Sequence, residues 1–258
     1  MSLFNPDQAR LSLGHSRILL ETKTDRNSWK KIGECAYNHL VTSGNLSARL
    51  QQLLSTHLPR GRKLNVLFSD QLTRYFMVVP PKQIGSYADL KTIAELRFST
   101  LFGDKSNDWI IQADWAADYP FLACALPREP IESIRRILDA GGWRSQGMVP
   151  ESIAMWNFHA PKWSDQSAWF VRISEQHTLV ATGAAGRIRQ INSWIGEPPA
   201  NAEQLVPILT REALRWDCPL PTTLYLSYND VKLEWHGNRI AGVNLIVLNT
   251  DNFKLENV

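Results

Sequence analysis

Apolar positions along the chain change period several times, and each change marks an element. Residues 10–14 and 17–22 read as two short strands around Gly14-His15-Ser16. Leu46, Leu50, Leu53 and Leu54 share one helical face, which predicts a helix over 45–58 stopped by Pro59. Residues 64–68 and 74–79 are expected as a strand pair around Ser69-Asp70-Gln71. Leu90, Ile93, Ala94, Phe98 and Leu101 then predict a helix over 87–102, closed by Gly103. Strands over 109–115 and 121–125 follow, and Ile131, Ile134 and Leu138 give a helix over 129–140 ended by Gly141-Gly142. A short helix over 149–159 leads into Ala160-Pro161-Lys162-Trp163-Ser164-Asp165, a polar stretch that suits a boundary between halves.

The second half opens on strand-like residues 170–180, with Val171, Ile173 and Leu179 in the alternation of a half-buried strand. Gly183-Ala184-Ala185-Gly186 forms a turn before Arg187–Ile191, since glycine supplies the positive φ of tight turns. Leu205, Leu209, Ala213 and Trp216 mark a helix whose start is set by Pro207, because proline suits only the first turn. Strands over 224–227, 231–235 and 242–248 complete the chain. Helices alternate with strands while hairpins are frequent, so the class is mixed α/β with partly antiparallel sheets. No internal repeat stands out.

At 258 residues the chain suits one large domain or two modest ones, and 44% hydrophobic with 21% charged residues is ordinary for a soluble globular protein. A formal charge of +3 gives no reason to expect nucleic acid or strong attraction to a membrane. Cys35, Cys124 and Cys218 are sparse and unpaired in spacing, which suits a reducing compartment. The first residues lack the apolar stretch of a secretory signal, and no run approaches the ~20 residues that span a bilayer. The expectation is a cytoplasmic protein. Ten tryptophans are unusual, and such rings are enriched in cores and binding surfaces alike.

Several chemistries lack their residues. There is no P-loop, no Gly-x-Gly-x-x-Gly after a strand, and no Gly-x-Ser-x-Gly elbow. His15, His39, His57, His159, His177 and His236 lie on different elements without ligand spacing, so no metal site is expected. Cys35 near His39, and Asp114 near Asp118, are weak catalytic pairs. Arg60-Gly61-Arg62-Lys63 lacks interleaved aromatics and reads as a solvated loop.

Several short pieces resemble a bacterial family. They are residues 66–75, Phe102-Gly103-Asp104, Asp108-Trp109, residues 122–126, Gly141-Gly142-Trp143, Val149-Pro150-Glu151-Ser152 and residues 210–214. The chain resembles the PilM-like and GspL-like cytoplasmic proteins of type IV pilus and type II secretion assembly platforms. That resemblance implies a degenerate actin-like (ASKHA) fold with a small inserted subdomain. Residues 1–160 would form the first lobe, with the insertion at about 64–140, and residues 161–258 the second.

The resemblance also points to where nucleotide would sit. The first phosphate loop corresponds to Gly14, His15 and Ser16, without the family's Asp. The second corresponds to Arg172, Ser174 and Thr178, with Arg172 and Ser174 where an acid and a glycine would serve; on its residues alone this segment is explained by a plain β-hairpin. At the adenine end stands Leu226-Ser227-Tyr228-Asn229-Asp230 in place of a glycine-rich turn. Mg²⁺ needs hard oxygen ligands and phosphate needs close backbone approach, so no cofactor and no ATPase activity are expected. Arg172 could still neutralise an anion. The implied role is a non-catalytic adaptor or scaffold that docks the cytoplasmic tail of an inner-membrane protein, with a homo-oligomer or ring as the assembly it could form, touching membrane only indirectly. Trp109, Trp115 and Trp143 are candidates to line the docking groove. The alternative is a diverged actin-fold ATPase or sugar-kinase-like enzyme that still binds nucleotide.

Overall fold

A computed structural model of the protein describes residues 8–14, 16–24, 28–36, 43–83, 86–159, 163, 168–174, 176–184, 186–228, 239–240 and 242–248. His15, most of the 160–165 stretch, the strand expected over 231–235 and the end of the 226–230 turn lie outside the described residues.

Strands β1 (Gln8–Leu13), β2 (Arg17–Lys23), β3 (Trp29–Ala36), β4 (Lys63–Phe68) and β8 (Arg144–Pro150) make the first sheet, in the order β3-β2-β1-β4-β8. The β1–β2–β3 ladder is antiparallel, whereas β4 runs parallel to both β1 and β8. Helix α1 (Ser43–His57) buries Leu46, Leu50 and Leu54 against this sheet, side by side with α3 (Arg128–Gly141), which contributes Ile131, Ile134 and Leu138. Each such side chain contributes roughly 1.5–3 kcal/mol on leaving water.

The 64–68 and 74–79 segments do not pair with each other as the sequence suggested. Residues Asp70–Leu72 form a 3-10 turn, with Ser69 Oγ accepting from the Gln71 amide, and the chain leaves the first sheet there. Strand β5 (Arg74–Val78) pairs instead with β7 (Phe121–Pro127), which also pairs with β6 (Trp109–Ala113), giving a three-stranded antiparallel sheet. Helix α2 (Tyr87–Phe102) covers it, with Phe98 and Ala94 against Phe76 and Phe121. Ser86 caps this helix on the Asp89 amide, and Gly103 ends it at φ +71°. This small sheet and α2 fall inside the 64–140 stretch; β4 and α3, at its two ends, pack with the first sheet.

Helix α4 (Glu151–His159) leads to the second large sheet. Its strands are β9 (Ala168–Ser174), β10 (His177–Ala184), β11 (Arg187–Ile195), β12 (Thr223–Tyr228), β13 (Arg239–Ile240) and β14 (Val243–Val247), in the order β11-β10-β9-β12-β14-β13. β9 is not the half-buried strand that its alternation suggested. Trp169, Val171 and Ile173 pack on Leu205 and Leu209 of α5 (Ala202–Arg215), while Phe170 packs on Trp156 of α4, so both faces are covered. Pro207 sits inside α5 and not at its start, which is capped by Asn201. Gly183 also has another reason than turn geometry. Its backbone lies under Trp156, where a Cβ would come within 2.4 Å of the indole, while Gly186 alone takes the positive φ.

The two large sheets share one topology through five strands, an antiparallel three-strand meander followed by two strands added parallel to its first member, and the second sheet adds β13 antiparallel to β14. That structural repeat is invisible in the residues.

Candidate functional site

The meeting place of the two large sheets is an ionic cluster built on Asp70. The 3-10 turn after β4 carries this carboxylate into the interior, where it is 2% exposed. It accepts hydrogen bonds from the Ser152 amide at 3.1 Å, the Ser152 hydroxyl at 2.7 Å and the Tyr75 hydroxyl. Because Ser152 lies in the first turn of α4, Asp70 acts as a tertiary cap on that helix, whose positive end favours a carboxylate.

Arg172 reaches the same carboxylate from β9. Its Nε is 2.9 Å from Asp70 Oδ2, its Nη2 2.5 Å from Glu151 Oε2, and its Nη1 donates to Ser227 Oγ of β12 at 3.1 Å. A lone charge in the apolar strand Ala168-Trp169-Phe170-Val171-Arg172-Ile173-Ser174 must be paired, since an isolated buried ion is prohibitively costly. Here one guanidinium stands between two carboxylates, both from outside its own sheet.

Burial shapes the titration of Glu151, Arg172, Tyr75 and His177. It pushes Glu151 above the ordinary carboxylate value, with Arg172 opposing and Asp70 adding to the rise. It works against the charge on Arg172, but Glu151 and Asp70 more than compensate and hold the guanidinium protonated. Burial, then the Asp70 charge, holds the Tyr75 phenol protonated well above its usual value. His177, 2% exposed at the β9–β10 turn, is pushed below its ordinary value chiefly by burial, and its Nδ1 has no hydrogen-bond partner.

Of the phosphate-loop and docking-groove candidates Arg172 alone belongs to this cluster, joined by Ser227 from the adenine-end turn. Gly14 closes the β1–β2 turn, its amide donating to Arg17 O at 2.8 Å, and Ser16 is exposed. Ser174 Oγ donates to His177 O at 3.4 Å, and Thr178 is buried with its hydroxyl unpaired. Trp143 is a core residue, 5% exposed, whose indole N–H donates to Leu58 O at 3.1 Å. Trp109 packs on Phe98 and Trp115 on Tyr87 and Phe121, both within the small third sheet and its helix. The structure therefore separates Trp143 from the other two. Sequence reasoning missed Asp70, Glu151, Ser152, Tyr75 and Ser227 as partners. Arg172 in an otherwise apolar strand was the signal that partners existed.

Among the described residues, no group of three or more His, Cys, Asp or Glu is placed to hold a metal ion. No described helix is long and apolar enough to cross a membrane.

The arrangement of sheets is that of the actin-like fold. The PilM–PilN type IV pilus biogenesis complex matches with a TM-score of 0.65 at 12% identity, over 94% of this chain and 88% of that one. A Bacteroides thetaiotaomicron protein of actin-like ATPase fold and unknown function gives 0.59 at 9% identity, over 95% and 91%. The cytoplasmic domain of EpsL, an inner-membrane component of the type II secretion system of Vibrio cholerae, gives 0.56 at 11% identity, over 96% and 87%. No family model and no curated protein matches the sequence. The expected mixed α/β, actin-like fold and the likeness to PilM-like and GspL-like proteins are borne out; at these identities the likeness is one of fold.

Proposed function

We propose that the chain is a non-catalytic cytoplasmic adaptor of a bacterial pilus or type II secretion assembly platform, holding the cytoplasmic tail of an inner-membrane protein. The observation that carries this reading is the pairing of Arg172 with Asp70 and Glu151. In an actin-like fold the space between the large sheets is where Mg²⁺ and phosphate would meet carboxylates. Here both carboxylates are bound to a guanidinium that is 2% exposed, so they do not suit a divalent cation. Arg172, expected as free to neutralise an anion, is already committed on three sides. In this reading residues 1–160 and 161–258 are two lobes tied by that cluster, and the three-stranded sheet with Trp109 and Trp115 is an insertion available to a partner.

The likeness to a protein of actin-like ATPase fold and unknown function keeps a second reading in view, a diverged nucleotide-binding enzyme. Thermal unfolding with and without millimolar Mg-ATP separates the two, because a ligand that binds only the folded state raises its stability by mass action. An unchanged melting temperature and no phosphate release are expected. A clear upward shift together with turnover would establish the enzyme instead.

A further inference from the structure

Beside the ionic cluster a groove of about 370 Å³ runs between the third sheet and the second large sheet. Two strand edges form its walls: residues 73–77 around β5, and residues 190–195 of β11. Each is the outer strand of its sheet. They touch where Ile188 and Ile191 pack near Tyr75 and Cys124, yet among the described residues they do not pair. An outer strand turns alternate N–H and C=O groups away from its neighbour, which makes it a template for another chain. The β11 wall is roughly 20 Å long at about 3.3 Å per residue, a length that suits an extended segment.

The charge around the groove is one-sided. Arg74 lies against the rings of Phe102 and Trp109, 5.7 Å from each, and its Nε is buried without an acceptor. Arg97 is exposed on α2 and forms no ion pair among the described residues. Arg215 comes only within 3.9 Å of Glu212, which Arg211 already holds at 2.8 Å. Asp70, the carboxylate in the lining, is turned to Arg172, Ser152 and Tyr75. Buried His177, whose Nδ1 has no hydrogen-bond partner, also lines this space. At the rim, Leu101 is 44% and Ile195 61% exposed.

We propose that this groove binds an extended acidic peptide that adds as a strand along the outer edge of β11. Its carboxylates meet Arg74, Arg97 and Arg215, and an apolar side chain covers Leu101 and Ile195. Main-chain pairing supplies affinity in such strand addition, and the alternate side chains supply specificity. The proposal rests on the adaptor reading for the nature of its occupant, but its place and chemistry come from the groove.

A labelled hexapeptide alternating Val and Glu tests it by fluorescence anisotropy. Micromolar binding is expected, weakened at least tenfold when Lys replaces Glu or when Pro is placed at alternate positions. Combining Arg97→Gln and Arg215→Gln, both at exposed positions that leave the core intact, is expected to weaken binding at least tenfold. Hydrogen exchange at the amides of 190–195 is expected to slow on saturation. Absence of binding, equal binding of the Lys peptide, indifference to the double variant, or unchanged exchange along β11 overturns the proposal. If the double variant retains an inner-membrane partner's tail as well as the wild type does, the groove is the wrong site and the adaptor reading stands. If the peptide binds as expected while the protein turns over Mg-ATP, the groove stands and the non-catalytic reading falls.

Discussion

β1 and β9 each begin the meander of a large sheet and each carries one arginine, but the two arginines are satisfied over very different distances. Arg10 is paired within its own sheet. Its Nε lies 2.5 Å from Glu21 Oε2 and its Nη2 3.0 Å from Oε1 on β2, and its guanidinium lies over Trp29 of β3. Arg172 has no such neighbour on β10 and reaches Asp70 and Glu151 instead, tying the second sheet to the 3-10 turn and to α4. Equivalent topology thus leaves open whether a buried cation steadies one sheet or joins two. What decides it is whether a carboxylate stands across the ladder, as Glu21 stands opposite Arg10, or Leu179 opposite Arg172.

Replacing each arginine by methionine breaks the comparison most directly. Arg172→Met leaves Asp70 and Glu151 buried together without a counter-charge, and about 3–5 kcal/mol of stability is expected to be lost. Adding Asp70→Asn and Glu151→Gln to that change removes the stranded charges, so urea denaturation is expected to show part of the loss recovered. Arg10→Met is expected to cost less, about 1–3 kcal/mol, since it strands one carboxylate and not two, and Glu21 keeps some contact with water at 11% side-chain exposure. Equal losses at the two positions would abolish the contrast.

His177 sharpens it through pH. Its folded-state value lies below the ordinary 6.5, so between the two values the unfolded chain binds more protons. Stability is therefore lost as pH falls from 6.5 through that window. Glu151 acts in the opposite sense, because its raised value lets the folded form take up its proton first, so acidification above 4.5 relieves part of its cost. The difference between wild type and His177→Gln isolates the histidine. Urea midpoints from pH 7.5 to 5 are expected to fall more steeply for the wild type, and parallel curves would show that His177 does not titrate on unfolding.

Much of the fold was legible because buried elements announce themselves. The leucine face of α1 and the boundaries of α2 follow from apolar spacing and from Gly103. β3 and β8 were missed for the opposite reason. Both are outer strands of the first sheet, and Trp-Lys-Lys-Ile-Gly-Glu-Cys-Ala and Arg-Ser-Gln-Gly-Met-Val-Pro carry no regular apolar alternation because solvent meets much of each. The site was legible only in outline. Arg172 could be read as a charge that lacked a partner, but Asp70 lies about a hundred positions earlier and joins it only through packing, which one sequence does not display. Likewise β4 and β5 looked like a hairpin because they are adjacent in the chain, whereas the 3-10 turn between them sends them to different sheets.

The position of Asp70 has a mechanical corollary. One small carboxylate touches the first turn of α4, strand β5 of the three-stranded sheet through Tyr75, and the middle of the second sheet through Arg172. Hinge bending between the large sheets would have to strip several of those contacts in the same instant. In the adaptor reading proposed above, the molecule is expected to be stiff where an actin-like fold would otherwise flex, a fixed bracket that holds its two large sheets at a constant mutual angle.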